Sequence, residues 1–227
     1  MSAMPRSSAL GLAGRCALVA GSAGGFAPAL CAVLAAAGAR VMLAAGDGTD
    51  ARAVVAGLPG GPHAARGHDP AAPGASDALV ADAVAFFGGR LDILATFAAA
   101  QVHASLAEAG DEAWDASIGG SLRDRYLLCR AAGEAMKATG GGRIVVVTGD
   151  AGMAASTGLA GVEDGGALTM ARSFARDLGP HGIGANALVA GPGARAIDAA
   201  RAAAFLASPW ASYVAGHALV VGGAPMR

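Results

Sequence analysis

A glycine-dense turn between Gly21 and Gly25 separates a short apolar segment from an alanine-rich one. This order predicts a buried strand, a tight turn and a helix start, where backbone N–H groups can hold a phosphate. Gly21 and Gly25 stand where a side chain would obstruct the turn or a pyrophosphate, and Ala27 stands where a third glycine is usual. The turn therefore indicates a nucleotide-binding ancestry, with these three residues as candidate cofactor contacts.

A second group of residues has the side chains needed for acid–base chemistry. Glu163 and Asp164 are adjacent carboxylates near a predicted helix start, Thr148 ends a predicted strand, and Ser121 lies in a long predicted helix. Two interpretations of the carboxylates stay open. They stabilise the helix start through its dipole, or burial raises their pKa and they act as general acid or base in a non-redox reaction. These four are the candidate catalytic residues.

Further polar residues follow the predicted strands and are candidates for lining the same site: Thr96, Gln101, His103 and Asp150. The remaining histidines, outside this group, are scattered without the spacing of metal ligands, so we predict no metal site.

Strands and helices alternate along the chain, which predicts a parallel sheet covered on both faces. The predicted strands are Cys16–Ala20, Arg40–Ala44, His63–Gly67, Leu91–Thr96, Arg143–Thr148, Ala185–Ala190 and Ala218–Val221. After the first helix, the predicted helices are Thr49–Gly57, Asp77–Phe87, Asp111–Thr139, Gly161–Leu178 and Ala196–Ala207. Thr49 and Ser76 are predicted helix caps.

The long helix carries an apolar and a charged set of residues. The apolar positions predicted to face the core are Trp114, Ile118, Leu122 and Leu128. The charged positions, which predict a solvated or subunit-facing surface, are Asp111, Glu112, Arg123, Asp124, Arg125 and Arg130.

Composition excludes several function classes. A chain of 227 residues suits one α/β domain, residues 1–227, with a frayed start over 1–12. A net charge of −1 argues against a nucleic acid or an anionic membrane as partner, and no apolar run approaches the ~20 residues that span a bilayer. The three cysteines predict reduced core thiols in a cytoplasmic protein, with no disulfide framework.

One further pattern is carried by segments spread over nearly the whole chain. They are Ala20–Ala27, Leu91–Leu94, Trp114–Asp115, Gly142–Val147, Ala171–Leu178, Ala185–Pro192, Phe205–Ser208, Tyr213–Gly216 and Gly222–Gly223. Together they resemble the short-chain dehydrogenase/reductase family, closest to its ketoacyl-reductase-like members. The resemblance implies a Rossmann-type, doubly wound sheet of about seven strands in the order 3-2-1-4-5-6-7. It also implies an NAD or NADP cofactor and a homodimer or homotetramer in which the two long helices pack against their mates.

The family's redox residues are a tyrosine and a lysine one helical turn later. A gap-free alignment on Ala171–Leu178 places these positions at Ala160 and Asp164, and a register two residues later places them at Val162 and Gly166. Neither register supplies a phenol or an amine. The chain's two tyrosines are Tyr126 and Tyr213 and its lysine is Lys137, all outside that segment.

Two more family positions have changed. The serine position falls on Gly149, beside Thr148, and the asparagine position falls on Ser121. The resemblance therefore predicts a degenerate member, because without a positioned acid a carbonyl reduction loses about 10²–10⁴-fold.

The cofactor positions are changed as well. Strand two ends in Ala44 and Ala45, where an acidic residue or an arginine would recognise the ribose, while Phe26 and Phe97 place bulk near the nucleotide. Asp47 could reach back to a ribose or simply form a turn.

Two positions still match the family's nucleotide contacts. Asp69 matches an adenine-side aspartate and Ala98 follows strand four, so both join the candidate cofactor contacts. We expect no NAD(P) binding, or weak binding.

Three functions stay open at this point. The first is a pseudoenzyme subunit or small-molecule binder that forms homo-oligomers or pairs with an active relative. The second is a repurposed enzyme for elimination, isomerisation or cyclisation that uses the carboxylates or Thr148. The third is an atypical NAD(P)-dependent oxidoreductase with an unfamiliar acid.

Overall fold

The computed structural model describes residues 10–98, 104–149, 158–191 and 193–222. Its strands are β1 (Cys16–Ala20), β2 (Arg40–Ala44), β3 (Ala64–Arg66), β4 (Ile93–Thr96), β5 (Gly142–Gly149), β6 (Ile183–Ala190) and β7 (Ala218–Val221). They form one parallel sheet in the order β3-β2-β1-β4-β5-β6-β7. This confirms the predicted single doubly wound domain. The order reverses between β1 and β4, and a crevice opens there at the carboxyl ends of the strands.

Helices cover both faces of the sheet. They are α1 (Ala27–Ala36), α2 (Thr49–Ala56), α3 (Ala75–Phe86), α4 (Asp111–Trp114), α5 (Arg123–Thr139), α6 (Gly158–Leu178) and α7 (Ala196–Leu206). Side chains of α1, α2 and α7 pack on one face, and those of α3, α5 and α6 pack on the other. Because strand side chains alternate, Leu18 of β1 points into one core and Val19 into the other.

The predicted long helix is one helical segment with a change of pitch inside it. A π-helix, Asp115–Leu122, joins α4 to α5. Its wider turn rotates the following residues about the axis, so the apolar positions do not all face inward. Leu128 is fully buried as predicted, but Trp114 is 46% exposed, and its predicted core position is wrong.

The predicted helix caps are also wrong. Gly48 and Gly74 are the N-cap residues of α2 and α3, both with positive φ. The backbone N–H of Thr49 instead donates a hydrogen bond to the Asp47 carboxylate at 2.8 Å. Ser76 is buried in the first turn of α3, where its hydroxyl donates to another helix.

Two further predictions concern the start of the chain and the connection before α7. Leu12 is fully buried, so the prediction of a frayed start is wrong at this residue, while residues 1–9 lie outside the described ranges. The short connection before α7 has the predicted length, since β6 ends at Ala190 and α7 begins at Ala196.

All three cysteines are free and buried, as predicted. Burial raises the pKa of Cys31 and of Cys129 to about 12. Among the helices described, none is long and apolar enough to cross a membrane. Within those same ranges, no three His, Cys, Asp or Glu side chains are grouped as metal ligands would be.

Candidate functional site

A cleft of about 400 Å³ opens at the carboxyl edge of the sheet. The ends of β1, β4, β5 and β6 form it, together with one side chain of α5. Its lining residues are Ser22, Gly24, Gly25, Phe26, Phe97, Ala98, Arg125, Val147, Thr148, Gly149 and Ala190. Its volume and position at the switch point of the sheet are typical of a small-molecule site.

The two turn glycines have different roles. Gly21 has a φ of +117°, and a Cβ there would lie 2.2 Å from the carbonyl oxygen of Phe97. The close approach of two chain segments therefore requires this glycine whether or not a ligand binds. Gly25 has a φ of +60° and faces open space in the cleft. Of the predicted cofactor contacts, Gly25 and Ala98 line the cleft, whereas Ala27 is buried beneath it.

The described residues fit a nucleotide cofactor only in part. The turn around Gly25 leaves room for a phosphate, but β2 ends in the buried methyl groups of Ala44 and Ala45, which offer no hydrogen bond to a ribose. Phe26 and Phe97 pack edge to face in the cleft, with ring centroids 5.1 Å apart.

The two aspartates on this side of the molecule form turns. Asp47 accepts the hydrogen bond from Thr49 N–H, which lowers the pKa of Asp47. Asp69 accepts one from Ala71 N–H at 2.9 Å and borders a separate depression beside β3.

A buried ion pair joins Arg125 of the cleft wall to Glu163 behind it. Arg125 Nη2 donates to Glu163 Oε1 at 2.9 Å, and both side chains are 0% exposed. Ser121 and Ser117 donate to the same carboxylate, at 2.6 Å and 2.9 Å. Burial lowers the pKa of Arg125, while the neighbouring Glu163 and Asp164 act in the opposite direction. A buried pair is tolerated when extra hydrogen bonds satisfy it, and the two serines supply them.

Asp164 holds the end of β5. Its Oδ1 accepts hydrogen bonds from the Thr148 hydroxyl and from Gly149 N–H, the latter at 3.3 Å. Asp164 is fully buried, so Thr148 separates it from the cleft. Among the four candidate catalytic residues, Thr148 is the one that lines the cleft formed by the described residues. Glu163, Asp164 and Ser121 lie behind its walls.

This geometry corrects the helix-dipole interpretation of the two carboxylates. Glu163 and Asp164 lie in the second turn of α6, not at its start, and both are engaged in buried hydrogen bonds. The field of a helix end falls off within the first turn. The carboxylates are therefore held by their partners on α5, the π-helix and β5.

The two alignments of the tyrosine and lysine positions fall in different surroundings. In the gap-free register, Ala160 and Asp164 are both buried, and Asp164 contacts Thr148, which lines the cleft. In the other register, Gly166 borders an outer groove between α5 and α6, and Val162 is partly exposed.

The chain's phenols and its amine lie outside the cleft. Tyr126 is 47% exposed and stacks on Phe174, and Tyr213 is fully exposed. Lys137 pairs with Glu134 at 2.7 Å near the end of α5.

Sequence reasoning placed Arg125 and Asp124 on a solvated or subunit-facing surface, and this is wrong for both. Arg125 joins the ion pair described above, and Asp124 is buried 2.9 Å from His68 Nε2 and 2.8 Å from the Ser76 hydroxyl. A signal was available: Ser117, Ser121 and Arg125 recur at every fourth position and so share one helix face. Thr96 is buried in β4, and three other candidates, Gln101, His103 and Asp150, lie outside the described residues.

Comparisons with known proteins agree with this fold. A family model described as short chain dehydrogenase matches residues 15–203. The short-chain reductase protein NovJ of Streptomyces niveus is 34% identical over 183 residues, 77% of this chain and 68% of that protein. D-threitol dehydrogenase of Mycolicibacterium smegmatis is 37% identical over 135 residues, 59% of this chain and 52% of that protein. The chain thus matches about half the length of this second relative.

Solved structures share the fold. A short chain dehydrogenase from Mycobacterium smegmatis aligns with a TM-score of 0.85 at 24% identity, covering 95% of this chain and 94% of that chain. A second, described as a putative short-chain dehydrogenase/reductase from Burkholderia xenovorans, gives 0.83 at 24% identity, covering 93% and 96%. Proteins of this family normally bind NAD(P) and are commonly homo-oligomers. With its family model, its relatives and its strand order in agreement, the chain belongs to the short-chain dehydrogenase/reductase family of oxidoreductases.

Proposed function

We propose that this chain is a non-redox member of the family, which binds a small molecule in the cleft without transferring hydride to it. The proposal is supported by the gap-free alignment, which assigns Ala160 and Asp164 to the family's tyrosine and lysine positions, and by the contact of Asp164 with Thr148 at the cleft. A methyl group cannot donate a proton, and a carboxylate bonded to Thr148 cannot lower the pKa of a phenol. Hydride transfer to a carbonyl would lose the ~10²–10⁴-fold contribution of acid catalysis.

The same proposal includes weak NAD(P) binding or none. Gly25 and Ala98 remain available to a phosphate, and Ala44 and Ala45 give a ribose no polar partner. A buried polar group without a hydrogen-bond partner is costly. A cofactor whose ribose hydroxyls face these methyl groups should therefore bind weakly.

The ligand would present oxygen acceptors to the Arg125 side of the cleft. Arg125 borders the cleft, and its Nε and Nη1 have no hydrogen-bond partner within the described residues. Charge-assisted hydrogen bonds are the strong ones. Thr148 provides a second polar contact on the same cleft.

A second candidate function is a non-redox enzyme in which Thr148 touches the substrate. The contact between the Thr148 hydroxyl and buried Asp164 favours it, because a hydroxyl beside a carboxylate base is the arrangement of an activated nucleophile or proton shuttle. Glu163 would then be a positioning residue, since it holds Arg125. Substitution Thr148→Ala abolishes such an activity, whereas Thr148→Ser retains it.

We also propose a cytoplasmic homodimer or homotetramer, or a hetero-oligomer with an active relative, that uses the outer faces of α5 and α6. Tyr126 and Phe174 stack there and border an exposed groove that also includes Leu122 and Met170. Light scattering tests the assembly, and Tyr126→Asp should shift the protein toward the monomer. A wild-type monomer at all concentrations would contradict it.

The central test is calorimetric titration of the full chain with NADH and NADPH, beside an assay of ketone and ketoacyl-thioester reduction. An active family member serves as the positive control. We expect no saturable heat or a weak one, and no turnover. Tight binding together with turnover at ordinary enzyme rates would refute the proposal and support the atypical oxidoreductase.

A further inference from the structure

A second concave site lies at the amino edge of the sheet, opposite the cleft. We call it the basal pocket, and define it by Arg15, Arg90, Asp92 and Arg143 with the backbone of residues 140–142. Its volume is about 220 Å³. It lies where β1, β4 and β5 begin, and nothing in the proposed function uses it.

Positive charge in the basal pocket is only partly neutralised. Asp92 accepts hydrogen bonds from Arg15 at 2.7 Å and from Arg90 at 2.6 Å. Its second oxygen accepts from Cys16 N–H, so this carboxylate is fully used. Three arginines and one aspartate leave a formal charge of +2.

Arg143 is the arginine without a counter-charge. Its Nη1 donates to two backbone carbonyls, Gly142 at 2.8 Å and Gly182 at 3.3 Å. Its Nε is buried and finds no acceptor in the part of the chain that the structure describes. Burial and, second, the neighbouring charge of Arg15 lower the pKa of Arg143. Like charges held together at a concave surface are stabilised by an anion between them.

The main opposing charge is the carboxyl-terminal end of α5. This helix ends at Thr139, beside the pocket, and a helix end carries roughly half a negative charge. That partial charge is smaller than the formal +2 of the side chains. The pocket therefore keeps a net positive potential toward solvent.

We propose that the basal pocket binds a phosphate group, either as free phosphate or as the phosphate of a small monoester. A hydrogen phosphate dianion matches the charge of the pocket, and guanidinium groups bind phosphate oxygens through paired N–H donors. The volume lies below the ~300–1,000 Å³ of pockets for drug-sized ligands, so the phosphate enters and the remainder of an ester stays outside.

The test is calorimetric titration of the full chain with sodium phosphate, and separately with glycerol 3-phosphate, against sodium chloride at equal ionic strength. We expect saturable one-to-one binding that weakens as sodium chloride is added. Stronger binding of the ester than of phosphate identifies a monoester as the ligand, and equal binding identifies free phosphate.

Variants locate the binding. Arg143→Met should weaken it by about tenfold or more, since a hydrogen bond to a charged group is lost. Arg15→Gln should weaken it as well, and it keeps the test valid if Arg143→Met fails to fold. Arg201→Met removes an exposed arginine on α7 and should leave binding unchanged. Circular dichroism verifies that each variant is folded.

The absence of saturable heat with either phosphate compound would overturn the proposal. So would binding that survives both Arg143→Met and Arg15→Gln. Neither result bears on the proposed function of the cleft, because Arg143 and Arg15 do not line it.

Discussion

The two helical layers that cover the sheet differ in chemistry. In the layer of α1, α2 and α7, the buried positions are alanines and leucines with one cysteine, Cys31, and no charged or hydroxyl side chain on these described helices is buried. In the layer of α3, the π-helix, α5 and α6, seven polar side chains are buried: Ser76, Ser117, Ser121, Asp124, Arg125, Glu163 and Asp164.

The difference teaches which part of the molecule the fold itself requires. Alanine packing of α1 on α7 covers one face of the sheet without any buried charge. A buried ion pair is weak evidence for stability, because apolar residues of similar volume often do as well or better. Covering the sheet does not by itself require the polar residues of the second layer. Of these, Arg125 lines the cleft and Asp164 contacts Thr148 there.

The largest expected effect comes from removing one partner of the buried ion pair. Glu163→Ala leaves Arg125 charged and buried, and should lower the free energy of unfolding by about 3–5 kcal/mol. Urea denaturation measures it. The double variant Glu163→Leu with Arg125→Met should lose much less. A single variant as stable as the wild type would show that water reaches Arg125.

The next effect concerns the hydroxyls that complete the pair. Ser121→Ala removes the 2.6 Å hydrogen bond to Glu163 and should cost about 1.5–3 kcal/mol, the range for hydrogen bonds to charged groups. The same denaturation series measures it, with the exposed Ser173→Ala on α6 as the matched control. Equal losses in the two variants would contradict the assigned role of Ser121.

A substitution in the apolar layer tests the same comparison between the two helical layers. Ala203 of α7 is fully buried, and Ala203→Leu overpacks this layer, which should cost about 1–3 kcal/mol. Thermal unfolding measures the loss, and Ala202→Leu, at a half-buried position on the same helix, is the control. A neutral Ala203→Leu would mean that the layer is loosely packed.

The smallest effect is a pH dependence at the amino edge of the sheet. Burial raises the pKa of Asp92, but hydrogen bonds from Arg90 and Arg15 outweigh it, so the pKa lies below its ordinary 3.8. A carboxylate with a lowered pKa stabilises the fold above its unfolded value and loses that contribution as pH falls through the folded value. Stability should therefore decline below about pH 4, less steeply in Asp92→Asn. Parallel acid-unfolding curves for the two proteins would contradict this.

Much of the fold could be predicted because it follows from local patterns. Apolar strands alternating with helices gave the parallel sheet, and the edges of β1, β2 and β7 agree with the prediction. The site was harder to predict, because the π-helix between α4 and α5 changes which residues of this segment face inward. A period of 3.6 residues carried through that segment puts Trp114 and Arg125 on the same face of the helix. In the structure Trp114 is exposed and Arg125 is buried.

The partners of Glu163 and Asp164 could not be predicted from the sequence for a different reason. They lie far away in the sequence, on α5, the π-helix and β5, and only the packing of α6 brings them together. Local propensity carries no information about such contacts, so the two carboxylates could be singled out but their surroundings could not be predicted.

Neighbouring residues on a helix point about 100° apart, and α5 uses this at one place. Arg125 points inward to the ion pair, while Tyr126 points outward to stack on Phe174 of α6. The cleft wall and the outer surface are thus two sides of a single helical turn. A rotation of that turn would therefore move Arg125 at the cleft and Tyr126 on the outer surface together.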